Sequence, residues 1–412
     1  MRRPELLAPA GNLEKLKIAI DFGADAVYIG GGRLNLRAFS DNFTNEEIAE
    51  GVKYCHDRGK QIYVTMNVFP RNHDLKGVED YILGLYNLGV DAIIVADPSI
   101  LAVAKEVAPD LDVHISTQAN TVNYMATKFW YEQGASRVVL ARELTFREIK
   151  TISENIPEEC ELEAFIHGSM CIAYSGRCLI SNYMLGRDAN KGICGNACRY
   201  KYYLVEETRP GEYYPVVEDD NGTYIMNSKD LCMIEYIPEL INSGVYSFKI
   251  EGRMKSEFYV ASVVKAYREA IDSYLENPEG YKFKEEWMHT LKRISHRNYH
   301  TGFFLGKMGE QNYDVSSYIR NYDIVGIVKS YDEETKTATI LQKNRVFEND
   351  TVEVLRAHTP DFTVELKEMF DAEKNVPTNV ANRAHMIFKA KVDTPLKEND
   401  MLIKSNKVLN LE

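Results

Sequence analysis

The chain has 412 residues, of which 45% are apolar, and a formal net charge of −12. That length fits a barrel plus a smaller module. No run approaches the ~18–20 apolar residues that a membrane span needs, and the N-terminus has no apolar run of signal-peptide length. The acidic balance argues against a protein that coats nucleic acid, since such binding needs many Lys and Arg side chains. The negative net charge does not exclude an enzyme that binds RNA through one local basic patch. We expect a soluble, cytoplasmic protein.

Short apolar runs alternate with amphipathic stretches eight times, and several of these stretches end at a glycine. Strand, helix, glycine, strand is typical of parallel βαβ units. Eight units favour a TIM-type (β/α)8 barrel, with a doubly wound sheet as the alternative. The predicted strands are 5–10, 26–30, 61–67, 92–97, 112–118, 137–142, 161–167 and 247–252. The predicted helices include 12–22, 45–58, 75–88, 98–107, 145–155 and 257–275.

Several of these strands alternate between apolar and polar residues, whereas strands buried on both faces are usually apolar throughout. If the apolar faces pack on the helices, polar groups enter the barrel lumen, where each unpaired one costs about 1–3 kcal/mol. The pattern therefore predicts a ligand pocket at the carboxyl ends of the strands. A closed internal hydrogen-bond network is the alternative. The polar faces carry Asn67, Gln118, Glu163, His167, Lys249 and Glu251.

The regular spacing breaks once, before the eighth strand, where an insertion at about 168–232 holds a cysteine cluster and a tyrosine-rich stretch. Turn residues within 200–224 predict β-hairpins. We expect the barrel, including this insertion, to span 1–305. Residues 320–412 predict a small C-terminal β-barrel domain. Its predicted strands are 323–328, 337–341, 351–355, 386–390 and 400–403.

Four of the seven cysteines form the pattern Cys-x6-Cys-x15-Cys-x3-Cys, and they are Cys171, Cys178, Cys194 and Cys198. In an intracellular chain, such cysteines are more often metal ligands than disulfides. Clustered thiolates select zinc, Cu(I) or an Fe–S cluster. The six-residue gap is long for structural zinc, and Fe–S proteins use more varied spacings. The spacing favours an Fe–S cluster over zinc, with four ordinary buried thiols as the remaining alternative.

Longer motifs surround these cysteines. They are Glu163-Ala-Phe-Ile-His-Gly-Ser-Met-Cys171, Gly176-Arg-Cys-Leu-Ile-Ser181, Gly192-Ile-Cys-Gly-Asn-Ala-Cys-Arg199, Met226-Asn-Ser-Lys-Asp230 and Lys249-Ile-Glu-Gly-Arg-Met-Lys-Ser256. With the opening Glu5-Leu-Leu-Ala-Pro-Ala-Gly11, they resemble the U32 "peptidase" or collagenase-like family over most of the first 305 residues.

Within that family, the chain looks most like members that make 5-hydroxyuridine at the wobble position of tRNA. Their reaction is prephenate-dependent and oxygen-independent, so the resemblance implies tRNA and prephenate as partners. It also implies a [4Fe–4S] cluster on the four clustered cysteines, with Cys232 as an alternative fourth ligand. An oligomer of this chain, alone or with a paralogue, is a further expectation.

Three alternatives remain open. One is hydroxylation of rRNA or of a small molecule, as in other relatives. Another is a collagenase-like peptidase, although the sequence contains no HExxH, HxxEH or GxSxG motif. The third is a non-catalytic RNA-binding factor in which the cluster is structural.

Candidate site residues follow from the strand ends and the insertion. A dicarboxylate needs fixed positive charge, and the expected substrate-binding groups are Arg142, Arg253, Lys255, Asn67 and Gln118. The expected catalytic groups are His167, Glu163, Lys249 and Glu251. Packing is the plainer role for the histidine, and pairing with the lysine is the plainer role for the carboxylates.

Basic and aromatic residues of the insertion suit single-stranded RNA, whose bases stack on rings and whose phosphates bind Arg and Lys. The expected RNA contacts are Arg187, Lys191, Arg199 and Tyr200. An ordinary solvated surface is the alternative interpretation of this mixture.

Overall fold

The computed structural model describes residues 2–36, 42–171, 173–199, 217–219, 222–224, 229–306 and 319–406. Eight parallel strands form a barrel: β1 (Glu5–Pro9), β2 (Ala26–Gly30), β3 (Gln61–Met66), β4 (Ala92–Val95), β5 (Asp112–Ile115), β6 (Arg137–Val139), β7 (Glu161–Ser169) and β11 (Ser247–Ile250). Three short strands, β8 (Val217–Asp219), β9 (Gly222–Tyr224) and β10 (Asp230–Cys232), precede the last one. Strand β11 pairs with both β1 and β7, which closes the ring. The predicted TIM-type barrel is confirmed.

Helices follow most of the barrel strands. The helices are α1 (Leu13–Asp21), α2 (Asn45–His56), α3 (Val78–Asn87), α4 (Pro98–Val107), α5 (Tyr124–Glu132), α6 (Phe146–Ser153), α7 (Ile180–Leu185), α8 (Ile237–Asn242), α9 (Glu257–Glu276) and α10 (Glu285–Arg293). Helix α7 lies in the insertion, where Ile180 and Ser181 line a cavity at the barrel mouth. Local sequence explains several of the helix ends. Thr44 and Thr145 each begin a helix with a reciprocal capping box. The predicted left-handed glycines after helices are also confirmed, at Gly23, Gly59, Gly89, Gly134 and Gly244.

The insertion is anchored to the end of β7, which continues two residues further than predicted, to Ser169. Strand β10 pairs antiparallel with the last three residues of β7. Strand β12 (Tyr299–His300) then pairs with β10. Strands β8 and β9 form one of the predicted hairpins. The rest of the stretch 200–224 lies outside the described residues.

The C-terminal region forms an antiparallel half-barrel, which confirms the predicted all-β second domain. Its strands are β13 (Tyr322–Asp332), β14 (Thr337–Gln342), β15 (Val346–Phe347), β16 (Thr351–Leu355), β17 (Phe362–Glu365), β18 (Lys367–Asp371), β19 (Val376–Pro377), β20 (Val380–Ala381), β21 (Ile387–Lys391) and β22 (Met401–Ser405). Eight of them form one sheet in the order β17-β16-β22-β13-β14-β21-β18-β19. This sheet has its own buried apolar cluster, separate from that of the barrel.

The half-barrel packs against helices α1, α9 and α10 through charged contacts. On α9, Lys265 donates to Asp361 at 2.6 Å, and on α10 Arg293 pairs with the same carboxylate at 2.5 Å. Lys329 of β13 pairs with Glu14 of α1 at 2.7 Å. None of the helices in the described ranges has the length and apolar character needed to cross a membrane.

Candidate active site

A cavity of about 520 Å³ opens at the carboxyl ends of the barrel strands, and the insertion forms its outer wall. This is the position that active sites take in TIM barrels. The predicted site residues that line the cavity are Asn67, Gln118, Arg142, Lys249, Glu251, Arg253, Lys255, Cys171, Cys178, Cys194 and Cys198. The predicted pocket is therefore present.

The four clustered cysteines occupy one wall of this cavity. Desolvation raises the pKa of the Cys171 thiol, and charge interactions with Cys178 and Cys194 add to the increase. In the part of the chain that the structure describes, no three Cys, His, Asp or Glu side chains converge tightly enough to hold a single metal ion.

Cys232, the alternative fourth ligand, lies elsewhere. It is buried on β10, and the Tyr267 hydroxyl lies 3.9 Å from its sulfur. Burial raises the pKa of Cys232 to about 12, so its neutral thiol is strongly favoured. Cys198 lines the cavity and Cys232 does not.

Local backbone contacts hold the cysteine loop. The backbone N–H of Cys178 donates to the Asn190 side chain at 3.2 Å, and the Asn190 amide donates back to the Cys178 carbonyl at 3.0 Å. Gly192 has a positive φ of 83°, and a Cβ there would meet the backbone of Leu36 at 2.8 Å. The glycine thus lets the loop approach the segment after β2.

Two arginines line the same cavity. Arg253 is buried and donates to Thr65 Oγ1 and Asn35 Oδ1, both at 2.8 Å. Its guanidinium lies against Gly30, where a Cβ would meet both terminal nitrogens at 2.7 Å. Arg142 donates to the Ser169 carbonyl at 3.0 Å and stacks 3.9 Å from the Phe165 ring centre. These contacts fix the orientation of both guanidinium groups.

Below the cavity, the lumen is filled by an ionic network. Lys249 donates to Glu163 at 2.5 Å, and Arg137 binds Glu163 at 3.3 Å and Glu5 at 2.7 Å. Tyr63 donates to Glu5 at 2.6 Å. Against the lowering effect of burial, the two carboxylates hold the pKa of Arg137 well above its usual value. The polar lumen thus contains both predicted alternatives, a closed network at the floor and a pocket at the mouth.

The structure does not place the predicted catalytic residue His167 in the cavity lining. The pairing of β7 with β11 shifts register between Lys249 and Ile250, which pair with Phe165 and His167. This bulge reverses the alternation after Phe165, so the imidazole turns away from the lumen. It packs among tyrosines between β7 and helix α9, with Tyr267 Oη 3.4 Å from Nδ1. Burial lowers the pKa of His167 to about 3, so the ring stays neutral.

Other predicted polar groups have identifiable contacts at the mouth. Asn67 accepts from the backbone N–H of Leu36 at 3.3 Å. Gln118 is buried, and its Oε1 has no hydrogen-bond partner among the residues described. Glu251 and Lys255 are half-buried.

The predicted RNA contacts are partly used within the protein. Lys191 pairs with Asp74 at 2.8 Å, and Arg187 donates to the Ile193 carbonyl at 3.2 Å. Arg199 ends the 3₁₀ turn Ala197–Arg199, and its side chain lies outside what the structure describes. Tyr200 lies outside the described residues altogether.

Sequence reasoning missed an apolar rim around the mouth. Met254 lines the cavity and is 58% exposed, while Leu179, next to Cys178, is 61% exposed. Tyr174, next to the lining residue Ser175, is 51% exposed. Their only signal in sequence was their place beside the motif residues. Asn35 and Gly30, which hold Arg253, were also missed, although the run Gly30-Gly-Gly32 after a strand marks a close backbone approach.

Two family models match this chain, "Peptidase family U32" over residues 11–314 and "Peptidase family U32 C-terminal domain" over residues 320–402. The chain belongs to peptidase family U32. The resemblance found in the motifs is thereby confirmed, and both halves of the chain belong to the same family architecture.

Named U32 relatives fall into two groups. The tRNA hydroxylation protein P1 of Bacillus subtilis is 44% identical, covering 98% of this chain and 95% of its own. The tRNA hydroxylation protein P of Escherichia coli is 37% identical, covering 89% and 90%. A Porphyromonas gingivalis protein named collagenase is 34% identical, covering 76% of each chain. The solved C-terminal domain of a Geobacillus thermoleovorans U32 peptidase is 32% identical, covers 20% of this chain and 99% of its own, and has a TM-score of 0.19.

Proposed function

We propose that this protein hydroxylates the wobble uridine of tRNA at C5, in a prephenate-dependent, oxygen-independent reaction that uses a [4Fe–4S] cluster. The observation that carries the proposal is the convergence of four cysteines and two oriented arginines on one cavity at the barrel mouth. The names of full-length relatives, which call them tRNA hydroxylation proteins, support the choice of substrate.

The cysteine wall fits the proposed cluster. Soft thiolates suit iron–sulfur centres, and all four cysteines line the same cavity. Cys171, Cys178, Cys194 and Cys198 would hold the cluster, because Cys232 lies beyond the cavity lining. When bound, such a cluster supplies iron chemistry beside the substrate.

The arginines fit prephenate, a dicarboxylate. Arg253 donates to a hydroxyl and to an amide oxygen, and Arg142 donates to a backbone carbonyl, so these contacts orient both guanidinium groups at the cavity. Fixed guanidinium groups bind carboxylates in a directed, charge-assisted way. Gln118 adds a buried polar atom at the same wall. These groups would orient the co-substrate and exclude bulk water from it.

The rim fits a nucleobase. An enzyme that reacts at a base must receive it out of the stack, and an anticodon loop offers such single-stranded bases. Met254 lines the cavity, and Tyr174 and Leu179 are each next in sequence to a lining residue; all three side chains are exposed and could stack against a base. Since the whole chain carries a net charge of −12, tRNA binding would depend on the local basic groups of the insertion.

The test is a paired assay of the cluster-reconstituted protein under anaerobic conditions. One reaction contains tRNA that lacks 5-hydroxyuridine, with and without prephenate, and is followed by mass spectrometry of the digested nucleosides. The other contains gelatin, because one relative is named collagenase. We expect 5-hydroxyuridine only with prephenate, and intact gelatin. Cleaved gelatin with unmodified tRNA would overturn the proposal in favour of the peptidase.

A further inference from the structure

The floor of the cavity carries a primary amine. Lys249 is 4% exposed and lines the cavity from β11. Its Nζ lies 4.5 Å from the ring centre of Tyr28 and 5.6 Å from that of Phe165. Its ion-pair partner is Glu163, at 2.5 Å. A buried amine, a carboxylate and two aromatic rings therefore meet at the base of the site.

This amine lies below the Arg253 guanidinium along one strand. Lys249 lies over Tyr28, and Arg253 lies against Gly30, two residues further along β2. Two residues of a strand rise by about 6.6 Å, and alternate residues face the same side. A 2-oxo acid can span such a gap. Its carboxylate would bind the Arg253 guanidinium, and its carbonyl carbon would then lie at the Lys249 amine.

We propose that Lys249 forms an imine with the carbonyl group of a 2-oxo acid bound in this cavity. Prephenate carries such a group in its side chain. The inference rests on the proposed function only for the identity of this co-substrate, since the amine, the carboxylate and the arginine belong to the chain itself.

The chemistry balances with the groups present. The unprotonated amine attacks the carbonyl carbon, so a C–N bond forms and the carbonyl oxygen becomes a hydroxyl. That hydroxyl then leaves as water, the nitrogen loses its protons, and a C=N bond remains. Glu163 accepts a proton from the amine and returns it to the departing oxygen. Burial lowers the pKa of Lys249 against the opposing effect of Glu163, which favours the reactive form.

A reductive trap tests the inference without tRNA or iron. The full-length protein is incubated with phenylpyruvate, a stable 2-oxo acid with an apolar ring, and sodium cyanoborohydride. Intact mass is then measured and the modified peptide is mapped. We expect one adduct per chain, heavier by the mass of the acid less one oxygen atom, on Lys249.

Variants supply the controls. Lys249→Arg should abolish the adduct. Lys265→Arg should retain it, because Lys265 is an equally buried lysine with a carboxylate partner outside the cavity. Glu163→Gln should slow trapping about a hundredfold. Because the adduct is mapped on the wild-type protein, a variant that fails to fold leaves the main result intact.

Absence of an adduct, or an adduct on another lysine, would overturn the inference and show that Lys249 is only the charged partner of Glu163. The two proposals fail separately. If tRNA is modified but no adduct forms, only the imine proposal is refuted. If an adduct forms but tRNA is not modified, only the proposed substrate is refuted.

Discussion

The floor and the mouth of the barrel are built from the same strands, yet their charged side chains make different kinds of contact. At the floor, Arg137 forms ion pairs with the carboxylates of Glu5, Glu161 and Glu163. At the mouth, Arg253 donates to the side chains of Thr65 and Asn35, which orient its guanidinium group at the cavity. The same alternation of apolar and polar residues along the strands therefore supplies a stabilising ionic network at the floor and groups for ligand binding at the mouth.

The largest effect should come from breaking the floor. Arg137→Leu leaves Glu5 and Glu163 buried with much of their compensation removed, and loss of one partner in such a network costs about 3–5 kcal/mol. We expect the free energy of unfolding, measured with urea, to fall by that amount. A loss below about 1 kcal/mol would mean that the network does not stabilise the barrel.

The corresponding change at the mouth should impair binding and spare the fold. Arg253→Ala removes a charge-assisted contact worth about 1.5–3 kcal/mol, so prephenate affinity should fall about tenfold to a hundredfold. Lys at this position should restore little, because it lacks the planar fork. Isothermal titration with prephenate and with tRNA provides the measurement. Normal prephenate binding with lost tRNA binding would assign this arginine to the RNA surface.

A matched pair of glycine variants sharpens the same point. Gly30→Ala puts a Cβ at 2.7 Å from the Arg253 nitrogens, whereas Gly32→Ala meets nothing within 4 Å. We expect Gly30→Ala to weaken prephenate binding by up to about tenfold, since crowding of this kind costs about 1–3 kcal/mol. Gly32→Ala should leave it unchanged. Equal affinities in the two variants would show that Gly30 does not position the arginine.

The smallest expected effect near neutral pH concerns His167, which lies outside both the floor network and the cavity. The folded state keeps it neutral down to about pH 3, while the unfolded chain binds a proton near pH 6.5. Its contribution to stability is therefore complete above pH 6.5 and declines as the pH falls from there towards 3, by at most about 1.4 kcal/mol per pH unit. Urea unfolding of wild type and His167→Phe should show this slope reduced in the variant. Loss of tRNA modification in folded His167→Phe would restore its catalytic assignment.

The sequence was sufficient for the barrel and for the division of the lumen into polar and apolar faces. Period-two alternation in β3 and β11 correctly placed Thr65 and Lys249 inside. Gln118 also lines the cavity, but from the 3₁₀ turn Thr117–Ala119 and not from β5, which ends at Ile115. The barrel and the two faces of its strands could be predicted because both depend on local sequence patterns, which apply as long as the strands are regular.

What failed or was missed depends on tertiary structure. One shift in register on β7 moved His167 out of the site, and no local feature of its sequence signals that bulge. Asn35 reaches Arg253 across 218 positions of the chain, a contact that only the closed ring creates. Polar side chains in the lumen form ion pairs near the floor and line a pocket near the mouth. The alternation of apolar and polar residues does not indicate at which of these two heights a side chain lies.

The most direct test of the account is the iron and acid-labile sulfide content of anaerobically purified protein. We predict about four irons and four sulfides per chain, lost in Cys194→Ser and retained in Cys232→Ser and Cys55→Ser, because Cys194 lines the cavity and the other two lie in the core. Stoichiometric zinc without sulfide, or loss of iron in Cys232→Ser with Cys194→Ser unaffected, would contradict it.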